Sequence, residues 1–212
     1  MRASIIVTIL ATFAAPAHAD VLFSNFGPDD TYALDIGATL SYGGPLGGQV
    51  NEAAVPFTIT GGDYHLDSAE VAILHTWGPD LVYADIRSDL LGAPGEVLET
   101  TSGSGVTPPF VWAPPMELDF SGGLLLEEGQ QYWLALRTEE TDAHLAWAHN
   151  VVDDFGLRAW RIDGGPWETG FGTPGTDSQR PVYRIHATPV PGPGALALLA
   201  VAGLRHSRRR RA

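Results

Sequence analysis

Histidine and acidic side chains are the main groups of this chain that could bind a metal or act as a general acid or base, since it contains no cysteine. His144 and His149 lie five residues apart. Residues at this spacing face opposite sides of a strand and lie about 140° apart on a helix, so the two imidazoles do not converge on one ion. We therefore predict no metal site here and expect both histidines to be partly exposed.

Sequence motifs for nucleophilic and metal-dependent hydrolysis are absent. The chain has no Gly-x-Ser-x-Gly elbow and no His-Glu-x-x-His pair. It has 25 acidic residues, but the separation of a carboxylate pair for glycoside hydrolysis depends on the fold, and the sequence marks no particular pair. The sequence thus predicts a non-enzymatic protein with no catalytic residue, no cofactor and no metal.

Aspartates in predicted turns are the remaining candidates for a cation site. They are Asp29, Asp30, Asp153, Asp154 and Asp163. Oxygen-rich loops at the rim of a sandwich can bind calcium, but none of these aspartates has the periodic spacing of an EF-hand. We interpret them as solvated turn residues and keep calcium binding as the alternative.

Tryptophan is the residue type that most strongly suggests ligand binding. Five of the six tryptophans lie in the second half of the chain, at positions 112, 133, 147, 160 and 167. Trp133 alternates with Leu134 and therefore points away from the face that Leu134 would bury. An exposed indole could stack on sugar rings, which makes Trp133 our candidate for a polysaccharide-binding residue. Packing in the core is the alternative, and exposure of the ring distinguishes the two.

The charge of the central segment argues against one class of partner. Residues 20–188 hold all 25 acidic residues and six of the twelve basic ones, so their formal charge is 6 − 25 = −19. A surface of this sign repels phosphate backbones, and we expect no nucleic-acid binding. Without cysteine the fold contains no disulfide, so burial must stabilise it.

Short apolar or alternating runs separated by Gly, Pro and Asp predict the elements that hold these residues. Alternation with period two and bounding turn residues indicate β-strands. The predicted strands are 21–26, 32–42, 57–60, 82–87, 116–120, 132–137, 144–148, 160–162 and 182–187. Asp163-Gly164-Gly165 predicts a tight hairpin, and residues 46–54 are predicted to form a loop. Many short strands with such turns predict an all-β fold, a single sandwich or jelly-roll-like domain over residues 20–188.

Residues 66–77 fit two elements. Asp67 to Glu70 have the spacing of a capping box, which favours a helix. Ala69, Val71 and Ile73, however, alternate with their neighbours, and we favour a strand. The apolar residues predicted to form the core are Phe57, Ile59, Val71, Ile86, Leu118, Leu134, Leu136 and Ile185.

The first nineteen residues have the pattern of a secretory signal peptide. Met1-Arg2 is a short basic start, residues 4–15 are apolar, and Ala17-His18-Ala19 is a small-x-small cleavage site. Cleavage there would make Asp20 the first residue of the mature chain. We therefore predict export.

The C-terminal segment, residues 189–212, contains Pro191-Gly192-Pro193, ten apolar residues at 195–204 and the arginines Arg208, Arg209, Arg210 and Arg211. As a helix the apolar run would rise about 15 Å, roughly half of a hydrocarbon core, so we expect transient or shallow membrane contact. This order of a proline pair, an apolar run and an arginine cluster resembles the sorting signals of bacterial PEP-CTERM proteins, with Gly192 in the place of glutamate. The resemblance implies sorting by an exosortase-type protease; a retained basic tail is the alternative.

The central segment resembles the choice-of-anchor domains of exported bacterial proteins. The matching pieces are Val55-Pro56-Phe57-Thr58, residues 66–71, Ile86-Arg87-Ser88-Asp89, Pro94-Gly95, Leu98, Leu126, Gly129, Tyr132-Trp133-Leu134 and Tyr183-Arg184-Ile185. The resemblance implies a secreted β-sandwich without an assigned activity. We therefore expect a non-enzymatic protein of the cell envelope, cell surface or extracellular matrix. An exopolysaccharide-binding module is the alternative.

Overall fold

The computed structural model describes residues 19–34, 37–43, 48–105, 109–111, 114–172 and 179–191. These residues form two antiparallel sheets that pack as a sandwich, which confirms the predicted all-β fold. The described ranges contain no helix with the length and hydrophobicity needed to span a bilayer. The predicted signal peptide up to His18 and the sorting segment from Gly192 onward lie outside the described residues.

Within the described ranges, the smaller sheet has five strands in the order β1, β14, β4 and β8, with β9 also paired to β4. Its strands are β1 (Asp20–Ser24), β4 (Tyr64–Val71), β8 (Met116–Asp119), β9 (Leu125–Leu126) and β14 (Tyr183–Pro189). The first strand and the last are therefore neighbours in one sheet.

The larger sheet has nine strands in the part of the chain that the structure describes. Their order is β5, β11, β2, β3, β10, β6 and β7, and the hairpin of β12 and β13 is attached to β3. Its strands are β2 (Gly37–Tyr42), β3 (Val50–Thr58), β5 (Ile73–Trp77), β6 (Val82–Asp89), β7 (Pro94–Gly103), β10 (Gln131–Arg137), β11 (Ala143–Ala148), β12 (Leu157–Ile162) and β13 (Glu168–Phe171).

The core lies between the sheets and is formed by the inward-facing residues of each strand. In the larger sheet, Leu134 is paired with Val55 on one side and Ile86 on the other, and all three side chains are fully buried. All eight residues predicted to form the core are buried, which confirms that list. Period-two alternation thus identified the inner face correctly.

The prediction of a loop over residues 46–54 is wrong from Val50 onward, because β3 begins there. Small and polar residues at the start of β3 hid the strand, since they have little β-propensity of their own. They are held by partners on neighbouring strands. Asn51 pairs with Ser41 of β2, and Glu52 pairs with Arg161 of β12.

Residues 66–77, which also fitted a helix, form strands β4 and β5, so the favoured prediction of a strand is confirmed. Leu66 and Ala69 are both fully buried although they are three residues apart. The register opposite His186 and Ala187 shifts by one residue at this point, as in a β-bulge, and the shift accounts for the helix-like spacing. The chain then crosses from the smaller sheet to the larger one at Ala72, the single residue between β4 and β5.

The predicted hairpin at Asp163 is confirmed by the antiparallel pairing of β12 and β13, but residues 163–167 separate the strands, so the turn at Asp163 is tight and the hairpin loop is longer than predicted. Asp163 and Gly164 both have positive φ angles, 54° and 68°, as favoured hairpin turns require. The Asp163 carboxylate accepts a 2.8 Å hydrogen bond from the Val50 N–H and so ties the turn to β3.

Candidate functional site

Trp133 does not present the exposed ring that was predicted. It points away from the Leu134 face, as alternation indicated, but its side chain is 0% exposed. The residues that pack around it on this outer face are Ala54, Ala135, Ala159, Leu157 and Trp167. Three of them belong to β12 or the turn after it, so this hairpin covers the ring. The prediction that Trp133 stacks on a sugar is therefore wrong. Strand alternation shows which way a side chain points, but not whether a segment far away in sequence packs over it.

Two arginines hold Trp167 in place over this outer face. The Arg161 Cζ lies 4.8 Å from the centroid of the Trp167 ring, and the Arg87 Cζ lies 5.7 Å from it. Both distances are within the range of cation–π attraction. These contacts hold Trp167 over Trp133 and leave no room there for the ring of a ligand.

Asp85 is a fully buried carboxylate on the same outer face. It accepts hydrogen bonds from Arg87 Nη2 at 3.0 Å and Thr100 Oγ1 at 2.8 Å, and Arg137 Nε lies 3.3 Å away. Two guanidinium groups thus neutralise one carboxylate, which is the condition for burying a charge. This cluster is structural, since its carboxylate is enclosed and bound by arginine.

An open site of the larger sheet lies where β2 separates from β3. Among the described residues, β2 pairs with β3 through Ser41 and Tyr42 alone, whereas all of β2 pairs with β11 on its other side. Two adjoining clefts of about 190 and 300 Å³ occur at this fork, and both are lined by Thr39 and Asn51. The smaller cleft is also lined by Arg158 and Trp160 of β12. We call the two clefts together the β2–β12 groove.

Trp160 provides a partly exposed aromatic ring in this groove. Its Nε1 donates a 3.2 Å hydrogen bond to Glu168 Oε2 on the paired strand β13. A Cβ on Gly170 would lie only 3.1 Å from the ring, so glycine at that position lets the indole rest on the β13 backbone. The orientation of the ring is therefore set before any ligand binds.

Arg158 lies over this ring, with its Cζ 5.7 Å from the ring centroid, which is within the range of cation–π attraction. Its one hydrogen bond within the described residues runs from Nη1 to the Gln179 carbonyl at 3.4 Å, and Nε is buried without a partner. Burial lowers the pKa of the Arg158 guanidinium, because it disfavours the charged form. The group nevertheless stays protonated at neutral pH, since arginine starts from a very high value.

Arg158 differs from every other arginine that the structure describes. Each of the others lies within 3.3 Å of a carboxylate; they are Arg87, Arg137, Arg161, Arg180 and Arg184. Arg158 has no such pair within the described ranges. Glu52 also lines the groove, but its carboxylate lies 2.7 Å from Arg161 Nη2 and is already neutralised.

The larger cleft contributes amide, hydroxyl and imidazole groups. Asn51 Nδ2 donates to Ser41 Oγ at 2.8 Å, and Ser41 Oγ donates to the Gln49 carbonyl at 2.8 Å. Asn51 Oδ1 is left without a partner inside the described part of the chain. His144 also lines this cleft, and burial lowers its pKa, so it is neutral at pH 7.

The histidine and aspartate predictions have mixed outcomes. His144 is partly exposed as expected, whereas His149 is only 2% exposed, and that part of the prediction is wrong. Among the described residues no three His, Asp or Glu side chains come together as a metal site. Asp154 is bound by Arg180 at 3.2 Å, so it is not the freely solvated turn residue that we expected.

Sequence reasoning missed Arg158. Its alternation with Trp160 around Ala159 could have placed both side chains on one face of a strand. Only the fold reveals that the other described arginines are paired and that this one lines a cleft. No model of a known protein family matches the chain, and no curated protein matches it. Function is therefore inferred from the chain's own residues.

Proposed function

We propose that this chain is a non-enzymatic β-sandwich protein of the cell surface or extracellular matrix. In this proposal residues 1–19 direct its export, and residues 189–212 deliver it to an exosortase-type sorting protease. The observation that supports the proposal is the pairing of Asp20 with Ala187 between the edge strand β1 and its neighbour β14. The two predicted processing segments are thus attached to the sandwich side by side, at a strand start and a strand end.

The non-enzymatic part of the proposal is supported by the state of the buried carboxylates. Among the described residues, Asp85 and Glu52 are the buried acidic side chains. Each lies within 3.0 Å of an arginine nitrogen. A carboxylate that is enclosed by the fold and bound by arginine is not within reach of a substrate with which it could exchange a proton. Neither residue therefore suits the role of general acid or base.

Sorting would depend on the arginines at the end of the tail. Each Arg costs about 2.5–3.5 kcal/mol at the centre of a membrane helix, so Arg208 to Arg211 would stop transfer of the chain and cause a transient membrane contact. Pro191 and Pro193 would keep the backbone before the apolar run extended, in a form that a protease can bind. We expect cleavage close to Pro193.

Mass spectrometry of the protein isolated from each cell fraction of its host tests this proposal. The expected product starts at Asp20, ends near Pro193 and is found in the envelope or matrix fraction. A variant with glutamine at positions 208–211 should be secreted with its tail uncut. If protein recovered from the surface of a host with an active sorting protease retains Arg208 to Arg211, the sorting proposal is wrong and the tail is a basic membrane tether.

Exopolysaccharide binding is the second candidate function. The observation that favours it is the partly exposed ring of Trp160, whose orientation is fixed by its neighbours. Trp160 replaces Trp133 as the candidate for stacking on a sugar ring, because the side chain of Trp133 is enclosed. Polar groups for sugar hydroxyls lie in the same groove, among them Thr39 and Asn51. Intrinsic fluorescence titrated with host exopolysaccharide tests it. Trp160→Leu should abolish the change, whereas Trp77→Leu, which removes an exposed ring outside the groove, should preserve it.

A further inference from the structure

We infer that the β2–β12 groove binds a sugar that carries a carboxylate, with Arg158 binding the carboxylate and Trp160 stacking on the sugar ring. This inference rests on exopolysaccharide binding, the second candidate function. It adds the chemical class of the ligand and the residue that selects it.

The distribution of charge in the groove favours binding of an anion beside Arg158. Glu52 is neutralised by Arg161, so it does not compensate Arg158. A partly buried guanidinium without a counter-charge is unfavourable, and binding of a carboxylate would remove that cost. Glu168 lies at the Nε1 end of the indole. The carboxylate of a ligand would therefore be directed to Arg158 and away from Glu168.

The hydrogen-bonding state of Arg158 agrees with this role. Its Nη1 donates to Gln179, whereas Nη2 donates no hydrogen bond within the described residues. Guanidinium groups bind carboxylates through several N–H donors in one plane, and such charged hydrogen bonds are about twice as strong as neutral ones. Arg158 thus has donor capacity that no other described residue uses.

The neighbouring groups fit the rest of a sugar. The ring of Trp160, resting on Gly170, offers a flat apolar surface for the carbon face of a pyranose. Asn51 Oδ1 and the Glu168 carboxylate are acceptors for sugar hydroxyls. The cleft beside Trp160 has a volume of about 190 Å³, smaller than the roughly 300–1,000 Å³ of sites for drug-sized ligands, and suits one sugar unit. The adjoining cleft of about 300 Å³ has room for the next unit.

The acidic surface is compatible with an acidic ligand, because repulsion by distant carboxylates and attraction by Arg158 act over different distances. At physiological salt, charges farther away than about 8 Å are largely screened, whereas a carboxylate in contact with Arg158 is not. The formal charge of −19 on residues 20–188 disfavours densely charged chains such as nucleic acids. Polysaccharides with one carboxylate per sugar or per repeat are less strongly repelled.

Calorimetric titration of the full chain with matched pairs of ligands tests the inference. The ligands are oligosaccharides that contain galacturonate, glucuronate, mannuronate or guluronate, each compared with its methyl ester. We expect at least one acid to bind, and its ester to bind about tenfold or more weakly, as loss of a charged hydrogen bond implies. Comparison of acid with ester on the wild-type chain does not depend on the folding of a variant.

Three variants at Arg158 and Trp160, with a control at Trp77, show which residues cause the preference for the acid. Arg158→Gln should reduce affinity for the acid to the level of the ester, and Arg158→Lys should retain part of the preference. Trp160→Leu should weaken binding of acid and ester alike, and Trp77→Leu should leave both unchanged. The near-ultraviolet circular dichroism and thermal midpoint of each variant verify that the sandwich is intact.

The outcomes separate this inference from the function on which it rests. If acid and ester bind equally and both depend on Trp160, sugar binding stands and the carboxylate inference is overturned. A preference for the acid that persists in Arg158→Gln rejects Arg158 as its source. If none of the acids or esters binds, exopolysaccharide binding fails together with the inference, and the surface-protein proposal is unaffected.

Discussion

The hydroxyl of Tyr183 donates a 2.6 Å hydrogen bond to the backbone carbonyl of Pro56. Tyr183 lies on β14 of the smaller sheet and Pro56 on β3 of the larger one, so the bond joins the two sheets across the core. The Tyr183 ring is fully buried and stacks on Phe23 with a centroid distance of 4.5 Å. Burial raises the pKa of Tyr183, which keeps the hydroxyl protonated and able to donate.

Tyr183→Phe should destabilise the protein by about 1 kcal/mol, because it removes the donor and leaves a buried carbonyl without its partner. Urea unfolding monitored by circular dichroism measures the change in free energy. Tyr42→Phe is the matched control, since Tyr42 is exposed, and it should have almost no effect. Equal stability of Tyr183→Phe and wild type would show that the inter-sheet bond contributes nothing.

Leu134→Ala should cost roughly 2–5 kcal/mol, because it leaves a cavity at the centre of the larger sheet. Leu134 is fully buried between Val55 and Ile86. The same substitution at Leu98, which is 40% exposed on the edge strand β7, should cost much less. Chemical denaturation of both variants gives the comparison, and similar losses would contradict the assignment of the core.

Asp85→Asn should destabilise the fold by about 3 kcal/mol or more. The substitution leaves two mostly buried guanidinium groups, those of Arg87 and Arg137, without their shared carboxylate. Asp119→Asn is the control, since Asp119 is an exposed residue of β8. Thermal unfolding of the two variants measures the difference. A stability close to wild type for Asp85→Asn would mean that the charged cluster is dispensable.

Leu91→Asn should stabilise the protein by about 0.5–1 kcal/mol. Leu91 occupies the turn between β6 and β7 with a φ of 56°, followed by Gly92 with a φ of 83°. Leucine is strained in this left-handed conformation, whereas Asn-Gly is the preferred pair for such turns. The side chain is 99% exposed, so its removal loses little packing. A lower thermal midpoint for the variant would contradict this account of the turn.

Acid should weaken the hydrogen bonds around Asp89. Burial alone would raise the pKa of Asp89, but hydrogen bonds from Trp133, Gly92 and Gln131 outweigh it and lower the pKa below 3.8. A carboxyl group with a lower pKa in the folded state stabilises the fold above the unfolded pKa, and this contribution disappears as pH falls through the folded pKa. Wild type should therefore lose stability below about pH 4 more steeply than Asp89→Asn.

Unfolding midpoints measured between pH 2 and pH 6 test the role of Asp89. Asp153→Asn serves as the control, because Asp153 is exposed and makes no hydrogen bond within the described residues. Its profile should follow that of wild type. Parallel profiles for Asp89→Asn and wild type would remove Asp89 as a source of acid sensitivity.

The sequence by itself determined the class of fold and the direction of side chains. Alternation placed Leu134 in the core and Trp133 on the opposite face, because the period of a strand is two wherever the strand lies in the molecule. Asp163 and Gly164 identified their hairpin for a similarly local reason, since few residues accept positive φ angles.

Only the tertiary structure decided which outward-facing residues meet solvent and which charges lack a partner. Trp133 is enclosed by Trp167 and Leu157, more than twenty residues later in the chain. Strand β3 begins in a polar stretch whose partners lie on β2 and β12, and β4 passes into β5 at Ala72 without a turn signal. Arg158 is distinguished from the other described arginines because no carboxylate of the described residues forms an ion pair with it. Each of these properties depends on contacts between residues far apart in sequence, and a pattern of neighbouring residues does not contain that information.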